Sequence, residues 1–459
     1  MGGIVGWTFG TWARLSGLTG GLIIGTFFAG AAVSAETVHA LDPEKFAFAN
    51  TLLGYAPKQR LDHSELWHPP ERPAPVPRLY GGVEYLLWSV KGAPLSVPLV
   101  STGPIATTHH GLLGPPAKDG ADSTILYGAP HEPAKGGNDT QNFPVFSGTR
   151  LTLGYWLDDT QRFAFEASGF LLASQSAGYA IRGDMNGNPV LGIPVHNSVS
   201  YNIGKTIFPG EDSLPFSLPN DPNRVRSNGI ITGGVDITNT LQLWGAGATG
   251  VVNFYRNSSW ELSGLVGFRY LELAESFHLG VDIEGVSGPY TGQSGSAQDL
   301  FQTRNQFYGG TLGLRGRHVW GPVAVDLTGS AAIGVSHETI DITGGFKSVN
   351  FTSHGAGPEG VFAQPANEGL TSANRFAVVP EAGVKLSYDV TPSITVSVGY
   401  DFLYYSDVVR PTDQIDRNIP KGQTFLQAAP TISSTSPARL FNTTNFYAQG
   451  LSIGVSARF

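Results

Sequence analysis

Apolar and polar residues alternate along the last fifteen residues of the chain, 445–459. Leu451 and Val455 belong to one set of alternate positions, and Gly454 and Ser456 belong to the other. Successive side chains of a strand point to opposite faces of a sheet, so the pattern predicts a strand with one apolar and one polar face. Such a strand needs a neighbour on each side, which a closed barrel provides.

Nine earlier segments repeat this alternation, which brings the predicted number of strands to ten. They span residues 79–90, 149–157, 162–176, 241–254, 260–277, 304–318, 323–340, 376–388 and 393–407. The facing of the first segment is ambiguous, because Tyr85 and Leu87 lie on one side and Leu86 and Trp88 on the other. Ten is an even number, so the first strand can pair antiparallel with the last and close the sheet.

The connections between these segments alternate in length without exception. Short turns at 158–161, 255–259, 319–322 and 389–392 separate long connections at 92–148, 177–240, 281–303, 341–375 and 408–444. Outer-membrane barrels have short periplasmic turns and longer external loops. The pattern therefore predicts an all-β fold, a transmembrane antiparallel up-and-down β-barrel of about 10–12 strands. Twelve is the alternative, because the 177–240 connection is long enough to contain another hairpin and is the segment most expected to form an ordered cap.

Composition agrees with a barrel and excludes several other classes of protein. Charged residues make up 14% of the chain, against about 25% in typical soluble domains, and mean hydropathy is −0.04, as expected for strands that alternate. The chain has 60 glycines and no cysteine, so disulfides and thiol chemistry are excluded. The net charge of −8 argues against nucleic acid as a partner. No motif indicates a cofactor or a metal.

The N-terminal region predicts export. Residues 1–35 contain an apolar run after Arg14 and end in Val33-Ser34-Ala35, so they are predicted to be a signal peptide cleaved after Ala35. Residues 36–78 contain many prolines and are predicted to be an extended periplasmic linker. The barrel is then expected to occupy residues 79–459.

Charged residues fall on the polar face of the predicted strands. Such side chains do not face lipid, where Arg or Lys at the midplane costs about 2–4 kcal/mol, so they are predicted to line the lumen. The candidates are Arg150, Glu166, Glu261, Arg269, Arg315, Arg317, Asp326, Glu381, Lys385, Asp401 and Arg458. Because both signs are present, these residues either pair across the barrel and plug it or line a narrow wet path.

Two blocks of sequence resemble a known family. The segment 79–103 contains EYLLW at 84–88 and PLSVPLV at 94–100, and the segment 266–275 reads VGFRYLELAE. Together with the terminal strand, these blocks resemble the seventh class of the putative beta-barrel porins, found chiefly in planctomycete-type bacteria. Ser89 departs from the second aromatic residue of many relatives. The resemblance implies a barrel in the cell outer membrane, in contact with outer-membrane lipid, but it implies no substrate and no site residues.

Three functions follow from these observations. The first is a porin-like barrel that passes small solutes passively, and the second is a plugged barrel that anchors extracellular loops for surface interaction. The third is an outer-membrane hydrolase with acid–base groups at the rim, where His278 and Asp282 end one strand and His337, Glu338 and Asp341 end another. Charged residues also gather on any solvated rim, so the chain is expected not to be an enzyme.

Overall fold

The computed structural model describes residues 77–103, 123–129, 136–197, 202–203, 206–207, 210–220, 229–350, 355–419 and 435–459. The predicted signal peptide and all but the last two residues of the predicted linker lie outside these ranges and stay predictions. Among the described residues, no helix is long and apolar enough to cross a membrane.

Ten antiparallel strands form one closed ring, as predicted. Their bounds are β1 Leu79–Val90, β2 Phe146–Trp156, β3 Phe163–Leu172, β4 Ile231–Arg256, β5 Trp260–Gly285, β6 Ser294–Trp320, β7 Val323–Val349, β8 Gly369–Asp389, β9 Ile394–Val409 and β10 Thr443–Arg458. Each strand pairs with the next one along this series. β1 pairs with β10 over its length, from Tyr80 opposite Arg458 to Val90 opposite Ala448, so the ring has no open end.

Shorter elements lie in the long connections. The strands are Ala93–Pro94, Pro98–Thr102, Thr124–Gly128, Thr140–Gln141, Gln175–Arg182, Leu191–Asn197, Asn202–Ile203, Thr206–Ile207, Gly210–Ser217 and Ala356–Gly357, and the 3₁₀ helices are Gly288–Tyr290 and Pro411–Gln414. The predicted hairpin of the 177–240 connection exists as Leu191–Asn197 and Gly210–Ser217, but it pairs with Pro98–Thr102 in a separate four-stranded sheet. The ring therefore has ten strands and not twelve.

An apolar belt covers the outside of the ring next to the short turns. On β5 it runs from Trp260 to Tyr270, and aromatic contacts mark both edges: Trp260 lies 4.1 Å from His318, and Tyr270 lies 5.1 Å from Tyr308, between ring centroids. About ten residues at about 3.3 Å each, tilted by about 40°, give a height of about 25 Å. This is the height of the lipid-facing band of a membrane barrel.

Beyond the belt, toward the long loops, the apolar and polar faces of the strands change places. Within the belt of β5, Phe268 points outward and Arg269 inward, whereas farther along the same strand Leu279 points inward and is fully buried while His278 points outward. The outer face thus becomes polar where the inner face becomes apolar. The outward apolar row ends at this exchange although the strands continue. β6 therefore begins ten residues before its predicted start, and β7 ends nine residues after its predicted end.

The wall between β8 and β9 is paired only in its lower part. Pairing ends at Glu381 opposite Leu403, although β8 continues to Gly369. The next residue, Pro380, has no N–H to donate to a neighbouring strand. Above it, the backbone N–H of Val378 donates to the hydroxyl of Ser406 at 2.9 Å, a single side-chain link in place of a ladder.

The belt predicts that the cost in stability of an outward-facing charge depends strongly on its position along the strand. Val266 is 53% exposed on the outside of β5. Replacing it with Arg is expected to destabilise the inserted barrel by about 2–4 kcal/mol, because the site lies near the middle of the belt. Gln302→Arg, on the exposed outer face of β6 above the belt, is the matched control and is expected to change stability by about 0.5 kcal/mol or less. Urea unfolding in lipid vesicles measures both, and equal losses would contradict the placement of the belt.

Candidate functional site in the barrel interior

The interior of the ring next to the short turns is lined with paired charges; we call it the charged chamber. Arg150 Nη1 lies 2.8 Å from Glu84 Oε2 and 3.2 Å from Asp401 Oδ1. Lys385 contacts the other oxygen of Glu84. Four side chains from β1, β2, β8 and β9 therefore form one network across the barrel, with alternating sign.

A second network lies beside the first. Arg315 donates two hydrogen bonds to Glu166, at 2.8 and 2.9 Å, and the Tyr80 hydroxyl donates a third at 2.7 Å. Arg269 Nη2 lies 2.7 Å from Glu381 Oε1. Bidentate bonds of this kind fix the geometry of both partners.

The remaining candidates are also paired. Three contacts involve them: Arg317 with Asp326 at 3.5 Å, Arg458 with Asp389 at 2.8 Å, and Glu261 with Asn253 at 2.7 Å. All eleven sequence-selected side chains thus have a polar partner in the chamber.

Sequence reasoning missed four partners: Glu84, Tyr80, Asp389 and Asn253. Glu84 and Tyr80 were missed because both faces of the first segment carry aromatic and apolar residues. In the structure Tyr85 is half exposed on the outside, whereas Trp88 is buried inside, and this assigns Glu84 and Tyr80 to the lumen.

A layer of buried apolar side chains lines the inside of the ring above the charged chamber; we call it the septum. All ten strands contribute to it. Its members are Leu86, Trp88, Val90, Phe146, Phe170, Leu172, Leu241, Leu243, Leu271, Leu273, Phe307, Ala332, Ala377, Val379, Leu403, Tyr405, Val408, Phe446 and Ala448. The guanidinium of Arg150 lies 5.5 Å from the Trp88 ring and that of Arg269 lies 5.4 Å from the Phe170 ring, so the charged layer rests directly on the septum.

Above the septum, the described parts of the long connections pack against the inner faces of β4–β7 and form a second apolar core; we call it the plug. The plug joins inward residues of β4–β7, such as Leu279 and Phe301, to buried residues of the connections. Those from the connections are Leu95, Leu99, Val100, Tyr127, Val190, Leu191, Ile193, Val195, Leu214, Phe216, Leu218, Val361, Phe362, Ala363, Ile415 and Ile419. The inner faces that become apolar beyond the belt are therefore the faces that the connections cover.

Asp299 fixes one part of the plug. Its fully buried carboxylate accepts hydrogen bonds from the backbone N–H groups of Val361, Phe362 and Ala363, at 2.8, 2.9 and 3.1 Å. A Cβ at Gly360 would overlap the same carboxylate, which explains the glycine at that turn. The Asp299 side chain thus joins the segment 358–368 to β6 through three hydrogen bonds, in addition to its apolar contacts in the plug.

A buried ion pair fixes another part. Arg410, at the end of β9, donates from Nε to Glu275 Oε2 at 2.9 Å and from Nη2 to Oε1 at 2.5 Å. Its Nη1 also donates to the carbonyl of Gly92 at 2.6 Å. Both side chains are almost entirely buried. Arg410 therefore ties the connections after β1 and β9 to the inner face of β5.

Tyr127 forms a polar contact within the plug. Its ring stacks on Tyr179 at 4.7 Å, and its hydroxyl donates to Gln141 at 3.1 Å. Burial raises the pKa of Tyr127 to about 12, so the phenol stays neutral and keeps this donor at physiological pH.

The rim residues of the hydrolase hypothesis form no histidine–carboxylate hydrogen bond within the described ranges, although His278 and Asp282 line the same depression on the outer face. His337 points outward and bonds Asn374 at 2.7 Å, whereas Glu338 points inward, is fully buried and lies 3.5 Å from Arg375. Asp282 pairs with Arg182 at 2.5 Å. In the part of the chain that the structure describes, no group of three or more potential metal ligands is found.

The closed antiparallel ring, its outer belt and the alternation of short turns with long connections define a transmembrane β-barrel. The family model described as Putative beta barrel porin-7 (BBP7) matches residues 80–459, so the chain belongs to this family. Membership confirms the resemblance seen in the sequence and places the protein in the cell outer membrane. The short turns are accordingly periplasmic and the long loops extracellular.

Solved structures that align with most of the chain have low sequence identity and low TM-scores. The Escherichia coli outer membrane protease OmpT is 10% identical, with a TM-score of 0.35, over 84% of this chain and 98% of its own. The transport unit of the Escherichia coli autotransporter AIDA-I is 9% identical, with a TM-score of 0.20, over 91% and 97%. A Pseudomonas aeruginosa FadL homologue is 10% identical, with a TM-score of 0.22, over 83% and 90%. No curated protein matches the chain.

The Arg410–Glu275 pair predicts a large and asymmetric mutational effect. Arg410→Met leaves the buried Glu275 carboxylate unpaired and is expected to lower the free energy of unfolding by about 3–5 kcal/mol. The double variant Arg410→Met/Glu275→Met removes both charges and is expected to recover most of this loss. Arg182→Met breaks an exposed ion pair and is expected to cost about 1 kcal/mol or less. If urea unfolding shows Arg410→Met and Arg182→Met to be equally mild, the buried pair does not hold the connections.

Asp299 predicts a local effect. Asp299→Ala leaves three buried N–H groups without an acceptor, each worth about 1–3 kcal/mol. Faster hydrogen exchange is therefore expected in the segment 358–368, with the ladders of β6 and β7 unchanged. Asp341→Ala, on the outer face of β7, is the control and should leave exchange in that segment as it is. Unchanged exchange in Asp299→Ala would show that the segment is held by its apolar contacts alone.

Proposed function

We propose that this protein is a closed outer-membrane barrel that anchors an ordered extracellular cap and does not pass solutes through its lumen. The observation that carries the proposal is the septum, because all ten strands place buried apolar side chains into the same layer of the ring. The family is porin-like, and passive passage of small solutes is the alternative that the septum argues against.

The energetics of a septum explain why it would stop polar solutes. A hydrated ion or sugar that enters an apolar layer loses hydrogen bonds to water and gains none, at a cost of several kcal/mol for each polar group. The charged chamber below does not relieve this cost, because its side chains are already paired with one another. A solute would therefore have to break ion pairs and then cross an apolar layer.

The cap is the part that this barrel would present to the outside. The plug holds the connections inside the extension of β4–β7 through apolar contacts, the Asp299 carboxylate and the Arg410–Glu275 pair. A surface fixed in this way is suited to binding, because its shape is not lost to loop motion. The belt below it would contact outer-membrane lipid. We propose no catalytic role, since no hydrogen bond joins a rim histidine to a rim carboxylate within the described ranges.

Thiol labelling tests the closed lumen, and the chain has no cysteine of its own to interfere. Thr328→Cys places a thiol on the inner face of β7 beside Arg315, in the charged chamber, and Gln302→Cys places one on the exposed outer face of β6. In vesicles with the extracellular loops outward, a small charged methanethiosulfonate is expected to modify Gln302→Cys readily. It should modify Thr328→Cys at least about tenfold more slowly, because it must cross the septum.

Access from the other end is the internal control. When detergent opens the vesicles, the reagent reaches the chamber from the periplasmic side, where Arg458 and Lys385 are partly exposed, and labelling of Thr328→Cys should rise. Rapid labelling of Thr328→Cys in intact vesicles would mean that the lumen is open, and the passive channel would then be the better description.

A further inference from the structure

The outer face of the extension carries a depression of about 850 Å³ on the extracellular side of the belt. It crosses the strand Gln175–Arg182, then β4, β5, β6 and β7, and ends at Ala356–Gly357. Its volume lies within the range of about 300–1,000 Å³ of sites for small molecules. We propose that this depression binds a saccharide that carries an acidic group.

The register places the lining residues in two neighbouring rows. In the first row, Arg182, Gly234, Asp282, Ser296 and Lys347 lie opposite one another on successive strands. Arg182 lies over Gly234 and reaches Asp282 at 2.5 Å. This row therefore ends in an ion pair on one side and in a lysine on the other.

In the second row, Asp236, Gly280, Gln298 and Gly345 lie opposite one another. Asp236 and Gln298 lie on the two strands next to Gly280, one on each side. Two strand spacings of about 4.8 Å place these two residues about 10 Å from each other. A Cβ added at Gly280 would meet nothing closer than the His278 ring at 3.4 Å, and one at Gly345 nothing closer than Gln298 at 3.6 Å. The floor between the flanking side chains is open backbone.

The chemistry of the lining selects the ligand. Outward side chains in the depression are small or polar, with no large apolar residue among those described, so the ligand is polar on the side that it presents. A carboxylate and a primary amide on either side of a flat floor suit the hydroxyl groups of a sugar ring, since Asp236 accepts hydrogen bonds and Gln298 both donates and accepts. The strands of the floor, β4 to β7, are each paired on both sides, which disfavours an extended peptide that would add to them.

Lys347 gives the preference for an acidic group. It is exposed at one end of the depression and makes no ion pair within the described ranges, whereas Arg182 is already paired with Asp282. A carboxylate or a phosphate on the saccharide would supply the missing partner of Lys347. The acidic group can come from a glycolipid of the membrane itself or from a polysaccharide outside the cell. The inference is independent of the closed lumen, because the depression lies on the outer face.

Calorimetric titration of the full mature protein in detergent tests the proposal. The probes are alginate oligosaccharides, which carry carboxylates, and the phosphorylated core oligosaccharide released from bacterial lipopolysaccharide by mild acid; dextran oligosaccharides are the neutral comparison. At least one acidic probe is expected to bind more tightly than dextran. Binding of the core oligosaccharide points to a membrane glycolipid as the source, and binding of alginate alone points to an external polysaccharide.

Three variants locate the site. Gly280→Leu fills the floor and is expected to weaken binding by about tenfold or more. Gly310→Leu, an outward glycine of β6 with open space around it but outside the depression, is the matched control and should bind as the wild type does. Lys347→Gln is expected to reduce the affinity for the acidic probe to that for dextran. The proposal is overturned if neither acidic probe binds, or if folded Gly280→Leu binds as tightly as the wild type.

Discussion

The exchange of apolar and polar faces along β4–β7 is the constraint on which the rest of this structure depends. Within the belt, the outer face of each strand is apolar and contacts lipid hydrocarbon. Beyond the belt, the outer face is polar and contacts water, while the inner face is apolar. Each inner face beyond the belt needs a cover, and the long connections provide it. The extension and the plug therefore require each other, since neither buries its apolar surface alone.

Ion pairs join strands and connections in addition to the apolar contacts. Buried charges are tolerated when they are paired, and each of the charged side chains named in the chamber has at least one polar partner. Arg410 does the same inside the plug, where it joins the ends of two connections to Glu275. Because removing one partner leaves an uncompensated charge, these contacts favour one arrangement of the connections over looser alternatives.

The ring, its ten strands and the alternation of connections were predictable because they depend on local periodicity and on turn length. The charges of the chamber were predictable for the same reason, since they occupy the face opposite the apolar row. The upper halves of β4–β7 were not, because the apolar row there moves to the other face. Asp299 and Arg410 were also missed: their roles depend on backbone groups that are distant in sequence, and no periodic pattern marks such contacts.

The septum is the basis of the proposed closed lumen, and single-channel conductance of the refolded barrel in a planar bilayer tests this closure most directly. Insertion is verified separately by the heat-modifiable gel mobility of a folded barrel, and a general porin serves as the positive control for the bilayer. The closed barrel is expected to insert and to carry no discrete current steps. Steps that scale with the conductivity of the electrolyte would contradict the septum and would show that solutes pass through the lumen.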